Sequence, residues 1–227
     1  MTPHMEPIRD ASVWTVEDLQ QDASWRFALT SEQTDELEKA IQLVRERQLQ
    51  FSEILQKDFP LPSLQQVLKG IQEELRQGRG FALLQGLPTG YEYDDLEKLY
   101  WGLCTHLGTG VTQNSEAGLI HYITDGQLRP QNGARILGRP RPSALHVDLS
   151  DCVSLFCIRQ APDDPQSLVA SSLAVYNEIL RQHPEYLPRL YEGFLWDRIE
   201  TQGSEPPFSN FHIPANSFAM PLQEGDI

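Results

Sequence analysis

A short polar motif followed by an apolar run, Leu145-His-Val-Asp148 and then Cys152-Val-Ser-Leu-Phe-Cys-Ile158, most constrains how this chain can fold. The apolar run has the length and composition of a buried strand, and a strand places residues two apart on one face. His146 and Asp148 would then project to one side and Val147 to the other. The pattern predicts a central strand that carries an imidazole and a carboxylate side by side.

An imidazole and a carboxylate in this arrangement are two of the three ligands of a 2-His-1-carboxylate iron site. The same triplet also arises by chance, so an exposed histidine beside a turn aspartate is the alternative interpretation. His121 lies in a second expected strand at 119–124, where we interpret it as a structural or lining residue rather than a ligand.

Composition excludes several classes of partner. Acidic residues outnumber basic residues by 32 to 18, which gives a formal net charge of -14. Nucleic acids and anionic membranes are bound through clustered lysines and arginines, so this charge argues against both. No apolar stretch approaches the roughly 18 residues of a membrane span, and the N-terminus lacks the pattern of a signal peptide. We therefore expect a soluble, cytoplasmic protein.

Helical periodicity dominates the first half of the chain. We expect an N-terminal arm at 1–29 that is irregular and anchored by Trp14, Trp25 and Phe27, followed by a single domain at 30–227. Thr30-Ser-Glu-Gln33 has the capping-box pattern that begins a helix. Apolar residues then recur at helical spacing in three expected helices. These stripes contain Leu37, Ile41 and Val44; Leu64, Val67, Leu68, Ile71 and Leu75; and Leu96, Leu99, Tyr100, Leu103 and Leu107.

Shorter apolar runs between turn residues predict strands, at 80–86, 119–124, 145–158 and 168–172. Ser171 or Ser172 is expected to cap a following helix. Helices around a few strands indicate an α+β domain. Cys152 and Cys157 lie inside an apolar run, so we expect them to be buried like small hydrophobic residues.

Five motifs, taken in order and spacing, resemble the TauD/TfdA-like family of Fe(II)- and 2-oxoglutarate-dependent dioxygenases. The resemblance runs from Trp25 to about Arg198. Its motifs are Gly80-Phe-Ala-Leu-Leu-Gln-Gly86, Leu107-Gly108, Gln113-Asn114, Leu145-His-Val-Asp148, and Ala170-Ser-Ser-Leu-Ala-Val-Tyr-Asn177 with His183-Pro-Glu-Tyr-Leu187. The resemblance implies a distorted double-stranded β-helix, or jelly-roll, flanked by helices.

The resemblance also implies a site and a reaction. His146 and Asp148 would bind Fe(II) together with a distal histidine, and 2-oxoglutarate would be the cosubstrate. A small organic substrate would be oxidised by O₂ while 2-oxoglutarate is decarboxylated to succinate. Ser167 matches by position a hydroxyl residue that contacts the far carboxylate of 2-oxoglutarate, and Gln113 and Asn114 are candidates for lining the substrate pocket.

The chain departs from the family at two places. Asp164-Pro165 stands where the family carries Gly-Gly, and proline fixes its own φ, so the loop is expected to present Ser167 differently. The chain also ends at Gly225-Asp226-Ile227, which resembles the opening of the block that carries the distal histidine and a cosubstrate arginine. We therefore expect a jelly-roll that is incomplete at the C-terminus, with exposed apolar patches, and His212 as a candidate third ligand.

Three interpretations of function remain open. The first is a non-haem Fe(II), 2-oxoglutarate-dependent oxygenase. The second is a truncated, catalytically inactive family member with at most a binding role. The third, a helical interaction protein, explains the amphipathic helices but not the context of His146 and Asp148.

Overall fold

The computed structural model describes residues 3–112, 118–123, 145–148, 150–160, 167–192, 194–195 and 212–213. The helices and strands, in chain order, are α1 (Val16–Gln21), β1 (Arg26–Ala28), α2 (Ser31–Glu46), α3 (Gln65–Arg76), β2 (Leu83–Gln85), α4 (Tyr93–Cys104), α5 (Ser172–Gln182), α6 (Leu187–Leu190), β3 (Phe194–Leu195) and β4 (His212–Ile213). Short 3₁₀ turns lie at Phe51–Glu53, Gln56–Asp58, Pro62–Leu64 and Pro184–Tyr186.

The strands pair in twos. β1 lies beside β2, and β3 pairs with β4 in antiparallel register, with Phe194 opposite Ile213 and Leu195 opposite His212. In the part of the chain described above, no helix is both long enough and apolar enough to span a membrane.

The chain divides into two compact units. The first unit contains Met1–Phe27, Lys69–Gln85 and Ala170–Ile227, and the second contains Ala28–Leu68 and Gly86–Val169. Each unit therefore joins stretches that are far apart in sequence. The expected division into an arm at 1–29 and one domain at 30–227 stays a prediction.

The core of the second unit is built on α2 and α4. Thr30 Oγ1 accepts a hydrogen bond from the backbone N–H of Gln33 (3.3 Å), and Gln33 Oε1 accepts one from the N–H of Thr30 (3.0 Å). The predicted capping box at the start of α2 is therefore confirmed. Most residues of the expected apolar stripes are buried as well, whereas Val67, Leu75, Tyr100 and Leu107 are half-buried. The core contains Leu37, Ala40, Ile41, Val44, Ile54, Phe59, Leu61, Leu64, Leu68, Leu96, Leu99 and Leu103.

Phe59 packs directly on the backbone of α4 at Gly102. A Cβ atom added at Gly102 would lie 2.5 Å from Cγ and Cδ2 of the Phe59 ring, which is closer than van der Waals contact allows. The carbonyl oxygen of Phe59 lies 2.7 Å from Nε2 of His106, and a carbonyl can only accept, so the imidazole N–H donates to it. Phe59 is thus held by both its ring and its backbone.

Two arginines at the end of α2 bind buried carboxylates. Arg45 forms a two-bond ion pair with Asp95 on α4, and Arg47 lies 2.6 Å from Asp58. The hydrogen bond from Arg45 lowers the pKa of Asp95, and the hydrogen bond from Arg47 lowers the pKa of Asp58. These pairs tie the C-terminal end of α2 to its surroundings through charge.

In the first unit, the arm is anchored by its aromatic residues. Trp14 is buried, and its indole N–H donates to the carbonyl oxygen of Arg79 (2.9 Å). The Phe81 ring lies 5.1 Å from Trp14 and 5.0 Å from Trp25 between ring centroids. The arm contains α1 and β1, so the expectation that it is irregular is wrong: the capping box at Thr15 begins α1, and β2 gives β1 a partner.

The arm also binds α5, largely through backbone groups. Asn177 accepts a hydrogen bond from the N–H of Ile8 (2.9 Å) and donates one to the carbonyl oxygen of Ile8 (2.8 Å). Tyr176 donates to the carbonyl oxygen of His4 (2.6 Å). Ser171 donates to the carbonyl oxygen of Ser12 and accepts from the N–H of Ala174, so it is the predicted cap of α5.

Three of the expected strands do not form in the ranges that the structure describes. Residues 118–123, 145–148, 150–160 and 167–171 have no regular secondary structure. The run at 80–86 contains β2, but that strand is only three residues long and Leu83 is exposed rather than buried. Apolar content alone does not make a strand, because a strand needs a hydrogen-bonded neighbour. The jelly-roll therefore stays a prediction.

Cys152 and Cys157 are exposed, so the expectation that both are buried is wrong. Of the described residues 152–158, only Phe156 and Ile158 are not exposed, so the run as a whole lies at the surface.

We predict that Gly102→Ala destabilises the protein, although alanine favours helices over glycine by about 1 kcal/mol. The added methyl group would overlap the Phe59 ring, and such overpacking costs about 1–3 kcal/mol. Urea unfolding followed by circular dichroism measures the change. Gly90→Ala is the matched control, because a Cβ atom there meets nothing within 4 Å. A Gly102→Ala protein as stable as the wild type would contradict the contact.

We predict that Asp95→Asn lowers stability at neutral pH by about 1–3 kcal/mol, the range for a hydrogen bond to a charged group. The native pKa of Asp95 lies below its ordinary value of 3.8. The stabilisation is therefore complete above that value and is lost as the pH falls through the lower native pKa. Asp95→Asn should flatten the acid side of the stability profile, whereas Asp35→Asn, an exposed residue of α2, should leave it unchanged.

Candidate functional site

The predicted ligand pair lies in the second unit on exposed, irregular chain. Both His146 and Asp148 are exposed, and residues 145–148 form no strand. The regular alternation that would place the two side chains on one face is therefore not imposed by a sheet. An imidazole and a carboxylate separated by one residue are still the donor types that a facial-triad iron site uses.

The other predicted site residues fall in different places. Ser167 is exposed and lies ahead of α5 on irregular chain. Gln113 and Asn114 lie outside the described residues. His212 belongs to β4 and stands opposite Leu195. The roles predicted for these residues stay predictions.

An iron site of the facial-triad type needs three protein ligands. Among the residues with described positions, no group of three or more His, Cys, Asp or Glu side chains is close enough to hold a metal ion. His146 and Asp148 have the right donor chemistry, but these described residues do not by themselves make an iron site.

The chain that follows the ligand pair is seated on α4. The Tyr100 hydroxyl donates to the carbonyl oxygen of Ser154 (2.6 Å), and the Tyr100 ring stacks on Phe156 with 5.5 Å between centroids. The Ser154 hydroxyl lies 3.6 Å from the sulfur of Cys104. Burial raises the pKa of Tyr100 above its ordinary value, so its hydroxyl stays protonated and able to donate. Ser154 lies only six positions after Asp148 in the sequence.

Most side chains of the segment 150–160 are exposed, and Leu155 is 75% exposed. Phe156 and Ile158 are half-buried, and Cys157 between them is exposed. Leu145 and Val147, on either side of His146, are also exposed, at 68% and 72%. In the described residues, His146 and Asp148 thus have exposed apolar neighbours. The incomplete jelly-roll stays a prediction.

A second segment, residues 118–123, contacts α4 through Tyr122, the residue that follows His121. The Tyr122 hydroxyl donates to Glu97 on α4, and burial raises the pKa of Tyr122, with Glu97 as a further cause. The phenol therefore remains a neutral donor at physiological pH. His121 is half-buried, in keeping with the interpretation that it lines the fold rather than binding a metal.

A cavity of about 390 Å³ opens beside the start of α4. It is lined by Thr89, Gly90, Tyr91, Glu92, Tyr93, Leu96, Ile158 and Arg159. Burial raises the pKa of Tyr91 to about 12, with a hydrogen bond to Glu38 as the next cause. The volume of this cavity falls in the range of small-molecule sites.

Sequence reasoning missed the anchor on α4 and this cavity. Both join residues more than 50 positions apart, which periodicity does not connect. One available signal was the spacing of Tyr100 and Cys104, which are four residues apart and so share a face of α4.

A family model and two known proteins match most of this chain. The family model described as "Taurine catabolism dioxygenase TauD, TfdA family" matches residues 44–212. The chain is 29% identical over 205 residues to "FR-33289 synthase" of Streptomyces rubellomurinus, an alignment that covers 89% of this chain and 60% of that protein. It is 24% identical over 200 residues to "Taurine hydroxylase-like protein SAT17" of Stachybotrys chartarum, which covers 84% and 52% respectively. The chain thus spans less than two thirds of the length of these relatives.

We predict that Tyr100→Phe loosens the segment 150–160 while leaving α4 folded. The substitution keeps the stacked ring but removes the hydrogen bond to Ser154, which contributes about 0.5–1.5 kcal/mol. Hydrogen exchange followed by mass spectrometry should show faster exchange at 150–158. Tyr93→Phe, at an exposed tyrosine of the same helix, is the control. Unchanged exchange at 150–158 in Tyr100→Phe would show that the hydroxyl does not hold the segment.

Proposed function

The chain belongs to the taurine catabolism dioxygenase TauD, TfdA family, and from that membership we propose that it acts as a non-haem Fe(II), 2-oxoglutarate-dependent oxygenase. The observation that carries the proposal is the family match over residues 44–212, because that range contains the His146-Val-Asp148 motif. The proposed reaction is hydroxylation, or a related oxidation, of a small organic molecule.

The relatives support this reaction class. One of them is described as taurine hydroxylase-like and the other as a synthase. Neither description fixes a substrate for this chain. Because the alignments leave a large part of both relatives unmatched, the activity, the substrate and the partners of the whole protein are all part of the proposal.

In this proposal His146 and Asp148 are two ligands of Fe(II). The third ligand comes from outside the ligand pair's own segment, with His212 as the candidate in this sequence. When bound, iron with 2-oxoglutarate and O₂ supplies the oxidising chemistry, and the protein binds and orients the reactants.

The remaining residues have supporting roles. In this proposal the Ser167 hydroxyl would donate to the far carboxylate of 2-oxoglutarate, and Gln113 and Asn114 would line the pocket for the primary substrate. The anchor of Ser154 on Tyr100 limits how far the ligand pair can move. We propose a cytoplasmic location, in which Fe(II), 2-oxoglutarate and O₂ are the partners that the chemistry requires.

We predict that His146→Ala and Asp148→Asn each weaken Fe(II) binding by about tenfold or more, equivalent to about 1.4 kcal/mol. Each substitution removes one donor atom from the metal. Anaerobic calorimetric titration of the 227-residue chain with Fe(II) measures the affinity. Asp151→Asn is the matched control, because Asp151 is an exposed carboxylate three residues farther along the same segment. Equal affinity in all three variants and the wild type would remove the ligand assignment.

Succinate release separates the oxygenase from the inactive, binding-only alternative. With Fe(II), 2-oxoglutarate and O₂, an active chain forms succinate even when the primary substrate is absent, at a slow rate, and His146→Ala does not. Fe(II) binding without succinate release from any mixture, including one with candidate substrates, would favour the binding-only alternative.

A further inference from the structure

One face of α4 carries two side chains that contact the same residue of the segment 150–160. Tyr100 and Cys104 are four residues apart and therefore lie one turn from each other. Ser154 meets both: its carbonyl oxygen accepts from the Tyr100 hydroxyl (2.6 Å), and its own hydroxyl lies 3.6 Å from the Cys104 sulfur. The position of Ser154 on α4 is thus fixed by two contacts.

The register of the segment along α4 follows from its other contacts. Ile158 lines a cavity with Leu96, and Phe156 stacks on Tyr100. The segment therefore runs antiparallel to α4, with Ile158 beside the start of the helix, Phe156 on Tyr100, and Ser154 at Tyr100 and Cys104. Two residues of extended chain advance about 6.6 Å and one helical turn about 5.4 Å, so the two repeats nearly match.

Ser154 contacts Cys104 at the last residue of α4. Continuing this register by one step places Cys152 just past that contact, within about one turn of Cys104. Cys157 lies between Phe156 and Ile158, so in extended chain it points away from the face that those two residues share. Cys157 is exposed. Of the two cysteines in the segment, Cys152 is therefore the one that the register aligns with α4.

Electrostatics agree with this placement. Burial raises the pKa of the Cys104 thiol, and negative charge at Cys152 raises it further. The same two cysteines contribute to the raised pKa of Tyr100. Electrostatic effects weaken with distance, so the effect of Cys152 on both Cys104 and Tyr100 agrees with this placement. Partial desolvation of its thiol also raises the pKa of Cys152, so only a minor fraction of it is thiolate at neutral pH.

We propose that Cys104 and Cys152 form a redox pair, which closes to an intrachain disulfide in the presence of a low-molecular-weight disulfide such as oxidised glutathione. The thiolate of exposed Cys152 attacks one glutathione sulfur, which releases one glutathione and leaves a mixed disulfide. The Cys104 thiolate then attacks the Cys152 sulfur and releases the second glutathione. Two protein thiols are oxidised, one glutathione disulfide is reduced, and the two thiol protons pass to the released glutathione.

The disulfide would fix the chain behind the His146-Val-Asp148 motif to α4 by a covalent bond. It closes a loop from residue 104 to residue 152, and a cross-link of that kind restricts the unfolded chain. The pairing concerns a modification site and is independent of whether the protein oxidises a substrate.

The test uses the 227-residue chain incubated with oxidised glutathione and then treated with N-ethylmaleimide to label the remaining thiols. Chymotrypsin cleaves after Leu155 and Phe156, which separates Cys152 from Cys157. Non-reducing mass spectrometry should find Cys104 linked to Cys152, while Cys157 carries maleimide or glutathione. Two of the three cysteines are then protected together, and the melting temperature rises until dithiothreitol reverses the change.

Single substitutions provide the controls. Cys157→Ser should form the same link and show the same rise in melting temperature, whereas Cys104→Ser and Cys152→Ser should form no intrachain link and show no rise. A link between Cys104 and Cys157, or between Cys152 and Cys157, would overturn the proposal. So would the absence of any intrachain link under conditions in which Cys157 becomes glutathionylated, because the reagent would then have reached the protein without closing the pair.

Discussion

The contact between the Phe59 ring and the backbone of α4 is the constraint on which the second unit depends. Glycine at position 102 lets the ring approach to a distance that no side chain would permit. The imidazole of His106 then holds the carbonyl oxygen of the same phenylalanine. A large apolar ring is thus fixed at two points, and the stripes of α2 and α4 are buried around it. Loss of this approach would separate the helices and expose both stripes.

Helix α4 consequently serves two surfaces. Leu96, Leu99 and Leu103 face the core, while other positions hold segments that have no regular structure of their own. Tyr100 holds Ser154 and Phe156, and Glu97 holds Tyr122. Irregular chain acquires a fixed position in this way, through a few side-chain bonds rather than a sheet. The ligand pair His146 and Asp148 is therefore positioned indirectly, by a helix that lies about 50 residues earlier in the sequence.

Local pattern was a good guide wherever the cause of structure is local. The capping box at Thr30, the stripe of Leu37, Ile41 and Val44, and the cap at Ser171 all depend on neighbours within a few residues. Pairing depends on distant partners instead. The apolar run at 152–158 was expected to be a buried strand, yet its described residues lack a neighbouring strand, and Leu155 and Cys157 face solvent.

The candidate site, too, has a part that depends on neighbouring residues and a part that depends on distant ones. His-x-Asp could be recognised from sequence because both donors lie within three residues. A third ligand must come from elsewhere in the fold, and no local pattern identifies it. The ion pair of Arg45 with Asp95 could not be predicted either, because the two residues lie 50 positions apart and the local pattern around each gives no sign of its partner.

The paired hydrogen bonds between Asn177 and Ile8 have a chemical consequence for an ageing protein. The amide nitrogen donates to one backbone group of Ile8, and the amide oxygen accepts from the other. Deamidation to aspartate would leave the acceptor in place but replace the donor with a second oxygen, which faces a carbonyl oxygen. One bond would become a repulsion with almost no change in side-chain size. The slow hydrolysis of a single amide would thus weaken one of the attachments of the N-terminal arm to α5, while those of Tyr176 and Ser171 remain.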